Sequence, residues 1–260
     1  MKYTDPGCAY CPPEIRVCRQ GDDQHGPGWC PSKVDDPGIA KGFTKYQDPF
    51  LVKVALESAR VEAEGYCEWT RVEEVCAFAK RMGFQKIGIA FCVGVFDLAA
   101  ILTRVLESHG FTVASACCKA GGIAKEEIGI QDHEKVHPGK FEAMCNPIVQ
   151  AELLNRAGTD FNVVVGLCVG HDSLFFKHAE ALTTTLVAKD RALGHNPAAA
   201  LLLADGYFRR IWGPLKPEVP SKKPAAPVET AGPEKAAQSL TGHRVEATQG
   251  PADGGSSSGG

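Results

Sequence analysis

The chain has 260 residues, 44% hydrophobic and 23% charged, enough for one substantial core and an appendage. A formal charge of −3 excludes the strongly basic footprint of a nucleic-acid binder, and no apolar run reaches the roughly 18–20 residues that span a bilayer. With 11 cysteines and no basic-then-apolar leader in MKYTDPGCAYCPPE, the chain is expected to be cytoplasmic, with thiols that bind metal or do chemistry rather than pair as disulfides.

Residues 1–31 are rich in Gly, Pro and Asp and carry Cys8, Cys11, Cys18 and Cys30. Cys8-x2-Cys11 is the tight pair used by tetrahedral thiolate sites, so the segment reads as a small metal knuckle for zinc or an iron–sulfur cluster. His25 is a possible substitute ligand, and a cysteine-bearing arm without metal is the plain alternative. Residues 32–48 read as a linker. Asp48-Pro49 then caps a helix over about 49–64, and Thr70-x-x-Glu73 forms a capping box for a second helix to Arg81, giving a helical hairpin over 49–83. Cys67 and Cys76 fall in this pattern and read as small buried hydrophobes.

From residue 84 to 212 the pattern is α/β, with a parallel sheet of about four strands flanked by helices. Strands are predicted at about 86–91, 111–116, 162–167 and 183–188, and the first and third are apolar on both faces, as a buried parallel strand is. Helices follow at 97–109, ended by Gly110, and at 147–157, started by Asn146-Pro147. A short helix carries Leu174, Phe175 and Phe176, and another runs from Pro197 to about Trp212. Between the second strand and Cys145 lies a long polar stretch of the kind that often forms a functional lid. The remainder, 213–260, is dominated by Pro, Ala, Glu, Lys, Gly and Ser and reads as a disordered tail.

The phrase Cys-Val-Gly occurs twice, at Cys92 and Cys168, each time after an apolar strand. Cys117 and Cys118 follow the second strand, and Cys145 stands just before a helix N-terminus, where the dipole lowers a thiol pKa. In a parallel sheet these positions share the carboxyl edge, where ligands bind. Nothing in core packing requires sulfur there, although buried structural thiols remain the plain alternative. Clustered thiolates are costly to bury without compensation, which a metal ion or cluster supplies. Four cysteines, such as Cys92, Cys118, Cys145 and Cys168, with Cys117 as open a candidate as Cys118, would hold a four-iron cluster, and three would leave one iron open. Zinc held by three cysteines with water or His171 is the other option. Gly94 and Gly170 could offer backbone N–H groups to a cofactor, and Lys119, Lys189 and Arg191 could bind a small anionic substrate. Cys168, His171 and Lys119 are the candidate catalytic residues, with His195 pointing to the same edge, while Asp172 reads chiefly as a helix cap. A metal-free Cys-His mechanism through Cys168 or Cys145 competes, as does a redox sensor or carrier without turnover. No Cys-x5-Arg loop, Walker motif or GxGxxG follows any strand.

The phrases KIGIAFCVG, SACCKAG, EAMCNPIVQAELLN, TDFNVVVGLCVGHDSLFFKH and KDRALGHNP resemble a cysteine-rich prokaryotic family known as domain-of-unknown-function family 1847. The resemblance runs over about residues 8–212, implies metal binding, and supplies no reaction.

Overall fold

A computed structural model describes residues 5–15, 17–21, 25–34 and 36–214. The expected tail lies, from 215 onward, outside the described residues. The chain separates into two compact units. The first holds everything up to Gly122 and then Met144–Trp212, and the described part of the second is Ile123–Ala143 with residues 213–214.

The sheet of the first unit has four parallel strands in the order β2-β1-β3-β4, with β1 at Lys86–Phe91, β2 at Thr112–Cys117, β3 at Phe161–Val165 and β4 at Leu182–Val187. Its central strands are sealed: Ile87, Ile89, Val163, Val164 and Val165 are buried, as unbroken apolar runs between two covered faces should be. Helix α4 (Phe96–Ser108) connects β1 to β2, α5 (Pro147–Ala157) leads into β3, and α6 (His171–His178) connects β3 to β4. Both α4 and α5 pack over β1 and β2, and right-handed crossovers put them on opposite faces. The chain leaves β1 toward β2 and returns past it to β3. The loops after β1 and β3 therefore diverge, the arrangement that in open α/β sheets marks the carboxyl edge between them as the ligand side.

Helices α2 (Pro49–Gly65) and α3 (Arg71–Met82) form the expected hairpin. Asp48 accepts from Phe50 N–H at 2.8 Å, and Thr70 and Glu73 complete their capping box. Phe78, Phe84 and Phe161 then stack at the amino end of the sheet, with ring centroids 5.4–6.2 Å apart. The expected linker at 32–48 is instead partly helical: α1 spans Pro37–Phe43, capped by Asp36 on Gly38 N–H at 2.7 Å. Gly38 and Gly42 hide it from any periodicity count. The last helix is shorter than expected. It stops as α7 at Ala198–Leu202, where Leu201 and Leu202 are exposed and Gly206 follows, and the chain continues through turns. Cys76 is buried as expected, but Cys67 is exposed, because α2 has ended at Gly65 and Cys67 turns the chain at φ +61°.

Gly88 is required by close approach rather than by a turn. A Cβ there would lie 2.0 Å from Asn162 Oδ1, which accepts a hydrogen bond from Thr159 Oγ at 2.9 Å in a fully buried position. Gly88→Ala must evict that side chain, and the expected loss is about 3 kcal/mol, read as a lowered urea midpoint.

The second unit contains the long polar stretch. Its ends are joined by a single antiparallel bridge, Ala124–Ala143, and its interior is tied by ion pairs. Lys125 bonds Glu142 at 2.5 Å, and the buried Lys135 ammonium meets Glu126 and Asp132. The Lys125 charge holds the Glu142 carboxyl down to about 2. Ion pairs substitute here for an apolar core that 21 residues of this composition cannot form.

Candidate thiol site at the carboxyl edge of the sheet

Register decides which sulfurs meet. Phe91 of β1 stands opposite Cys117 of β2 and Val165 of β3. One residue further on, Cys92 and Cys118 are therefore level with each other, on the same face, and Cys117 faces the other way. The ladder extends just far enough to hold them: Cys92 N–H donates to Val165 O at 3.1 Å and Cys118 N–H to Phe91 O at 2.9 Å. Cys145 is brought in by the chain after the second unit, because Asn146 N–H donates to Cys118 O at 2.8 Å. Asn146 also caps α5, accepting from Val149 N–H at 3.1 Å.

The Cys118 sulfur accepts from Val93 N–H at 3.4 Å and lies close enough to the thiols of Cys92 and Cys145 to couple its proton to theirs. Cys92 and Cys118 form a buried floor and Cys145 is half-buried. The three sulfurs divide their protons unequally. Hydrogen bonding from Cys118 is the largest cause lowering Cys92 and Cys145, each from the ordinary 9.0 to about 5, against the opposing effect of burial. The Gly94 N–H and the Lys189 ammonium, 3.6 Å from the sulfur, add to the effect at Cys92. Lys119 and the charge of His171 add to it at Cys145. Cys118 itself is driven far upward by its two anionic neighbours and stays a thiol. Its one proton can serve only one neighbour at a time, so the titration belongs to the cluster rather than to a single sulfur.

Cys168 stands half-buried at the rim, where Arg191 Nη2 lies 3.2 Å from its sulfur. That contact is the main cause raising the Arg191 pKa, with the charges of Cys92 and Cys145 contributing. A turn delivers Cys168: Gly166 leaves β3 at φ +64°, and a Cβ there would strike Val95 at 2.8 Å. The Cys168 carbonyl then accepts from His171 N–H at 2.9 Å, which starts α6.

Several expected roles change. Gly94 lies against Cys92 and Lys189, where its N–H helps to lower the Cys92 thiol pKa. Gly170 is the N-cap of α6 at φ +83° and is exposed, so the backbone turn requires it. Asp172 lies inside the first turn of α6 and accepts from Ser173 N–H at 2.7 Å rather than capping the helix. His195, at φ +69°, accepts from Asp190 N–H at 3.1 Å through Nδ1 and closes its own turn. Cys117 packs against the core. In the arm, Cys11 N–H closes a turn onto Cys8 O at 3.1 Å and Trp29 covers Gly7, but Cys8 and Cys18 are exposed while Cys30 is buried. Among the described residues, no group of three or more His, Cys, Asp or Glu is arranged to hold a metal ion, in the arm or at the sheet. The expected knuckle is thus not preassembled, as is usual for ligands whose anionic forms repel one another without a cation.

Sequence reasoning missed Gln150. It is fully buried on α5, and its Nε2 donates to Phe91 O at 3.1 Å and to Ala116 O at 2.7 Å. The signal was present: Pro147, Gln150, Ala151 and Leu154 are the buried stripe of α5, and one of the four is polar.

Fold and site together define an α/β protein with a parallel four-stranded sheet and a cation-flanked cysteine cluster at its carboxyl edge. The chain belongs to the family described as "Protein of unknown function (DUF1847)", which matches residues 30–186. It is similar to "Uncharacterized protein MJ0455" of Methanocaldococcus jannaschii, 49% identical over 194 residues, which is 75% of this chain and 92% of that one. The family match contains every sulfur of the sheet-edge cluster and begins at Cys30, leaving Cys8, Cys11 and Cys18 outside it. Among the described residues no helix is long and apolar enough to cross a membrane.

Proposed function

We propose that the sheet-edge thiols are a soft-metal centre, an iron–sulfur cluster or zinc, that acts on or senses a small anionic molecule in the cytoplasm. The observation that carries this reading is that backbone bonds bring Cys92, Cys118 and Cys145, from three separate segments, to one end of the sheet (Cys92 N–H on Val165 O, Cys118 N–H on Phe91 O, Asn146 N–H on Cys118 O), where two of the three thiols have lowered pKa values. Thiolate is the form that binds such metals, and loading would displace the single proton held by Cys118. The donor chemistry suits such a group: Cys92 and Cys118 are buried and Cys145 and Cys168 half-buried, and they would close into a ligand set only around the metal. When bound, the group supplies Lewis acidity or an electron path.

The chain's own residues do the rest. Lys189 and Arg191 offset sulfur charge, and Lys119 adds a third cation on the Cys145 side. An anion entering at the rim meets Arg191 and Cys168 first. His171, whose charge acts on Cys145, is the proposed proton carrier. In the arm, Cys8, Cys11, Cys18 and Cys30 are proposed as a second set that gathers only around metal. A metal-free thiol chemistry is the second reading. It is favoured by one observation, the protonated Cys118 held between two nucleophilic thiolates.

Anaerobic purification followed by metal and acid-labile sulfide analysis, with optical and EPR spectra, tests the proposal. The expected result is a stoichiometric metal or cluster that Cys92→Ser and Cys168→Ser diminish. Folded protein free of metal and sulfide that takes up neither on reconstitution would leave only the metal-free reading.

A further inference from the structure

The geometry points to Gln150 as the positioning residue of the thiol site: a buried carboxamide that clamps the carboxyl ends of β1 and β2 to α5 and so sets the spacing of Cys92, Cys118 and Cys145. The inference rests on the site's geometry and stands whether or not a metal fills it.

Each of the three cysteines lies within two residues of a group in this clamp, or one turn from it. Cys92 follows Phe91, whose carbonyl accepts from Gln150 Nε2 at 3.1 Å. Cys118 is two residues beyond Ala116, whose carbonyl accepts from the same nitrogen at 2.7 Å. The Phe91 carbonyl also accepts from Cys118 N–H at 2.9 Å, so one oxygen ties β1, β2 and α5 together. Cys145 stands one residue before Asn146, and Gln150 N–H donates to Asn146 O at 3.1 Å in the first turn of α5. Asn146 N–H closes the circuit onto Cys118 O at 2.8 Å. The two protons of a single NH2 group thus span two strand ends from one helix.

The same side chain carries a cost. Gln150 Oε1 is buried and has no hydrogen-bond partner among the described residues. An apolar side chain of the same length would fill the space on α5 without leaving a buried acceptor unpaired. What an apolar side chain could not do is hold the two strand ends. The backbone ladder fixes the spacing of β1 and β2, and the amide-to-carbonyl bonds of 2.7 to 3.1 Å fix α5, and with it Cys145, against both strand ends. Ligating or reactive groups depend on such neighbours for their placement.

The test uses the full chain, reduced and stripped of metal by chelator, and reads the pH profile of iodoacetamide alkylation at Cys92 and Cys145 by peptide mass. Gln150→Met keeps the volume and removes the clamp. The expected result is at least a tenfold loss of alkylation rate at pH 6 and a profile displaced upward. Leu154→Ala, one turn along the buried stripe of the same helix, is the control for plain destabilisation, and it should lower thermal stability while leaving the profile in place. A Gln150→Met profile that coincides with the wild type, or a Leu154→Ala profile displaced as far, would overturn the inference. Should Gln150→Met fail to fold, the wild-type chain still decides. Both Gln150 side-chain amide protons should be protected from solvent exchange in the reduced, metal-free chain, as donors to the Phe91 and Ala116 carbonyls, and rapid exchange of either would count against the clamp. Absence of metal in the purified protein would refute the centre proposed above and leave this outcome unaffected.

Discussion

Cys118→Ala is expected to return Cys92 and Cys145 most of the way from about 5 toward the ordinary thiol value of 9.0. Hydrogen bonding from Cys118 is the first cause of both depressions, ahead of Gly94 and Lys189 at Cys92 and of Lys119 and His171 at Cys145. Removing the thiol leaves those cations in place but leaves burial, which favours the neutral form, without its main opponent. If the Cys145 pKa reaches about 8, its thiolate population at pH 6 drops by about 100-fold. Alkylation of Cys145, the more accessible of the two, reads this directly in the reduced, metal-free chain. A variant that still alkylates like the wild type at pH 6 would mean that the cations alone hold the thiolates. Cys117→Ala is the matched control and should change nothing, since that side chain packs on the core.

The same titration makes folding stability depend on pH in a window set by these two groups. Their pKa values are lower in the folded chain than in the unfolded one. Their contribution is therefore fully present above 9.0 and is lost as pH falls through about 5. Cys118 has the opposite sign. Its pKa is raised, so its contribution is present below 9.0 and declines above it. The reduced, metal-free protein should thus gain stability steadily from pH 5.5 to 8.5, with the urea midpoint as the measurement. In the double variant Cys92→Ala, Cys145→Ala the slope over that range should largely vanish. Equal slopes in the two proteins would show that the thiolates are not formed in the native state. The depressed carboxylates, such as Glu142 at about 2, act below this window and do not blur it.

Much of this arrangement was legible along the chain. The both-faces-apolar runs KIGIAF and FNVVV are the buried strands β1 and β3, and all four strands appeared within a residue or two of the predicted limits. Asp48-Pro49, Thr70 with Glu73 and Asn146-Pro147 all marked helix starts, because a side-chain acceptor followed by a first turn is a local device. The features that were misread depend on neighbours distant in sequence, or on too few residues to show a period. Cys67 belongs to a helical-looking stretch, but its exposure depends on where α2 ends. His195 sits in a phrase that mirrors Cys145-Asn146-Pro147, yet it folds onto Asp190. The helix over 37–43 has two glycines in seven residues and is held by its cap.

By itself the sequence determined that this protein has a buried parallel sheet and that sulfur stands at the ends of its strands. Both follow from local order: apolar runs make strands, and the residue after a strand lies at its edge. Only the tertiary structure decided which sulfurs meet. The pairing of Phe91 with Cys117 selects Cys118 over Cys117, and chain return through α5 adds Cys145. Lys189 and Arg191, from beyond β4, come to lie against Cys92 and Cys168 across more than 20 intervening residues in each case. Charge and proton sharing among thiols fall off over a few ångströms, so they are properties of that assembled edge and of no single stretch of chain.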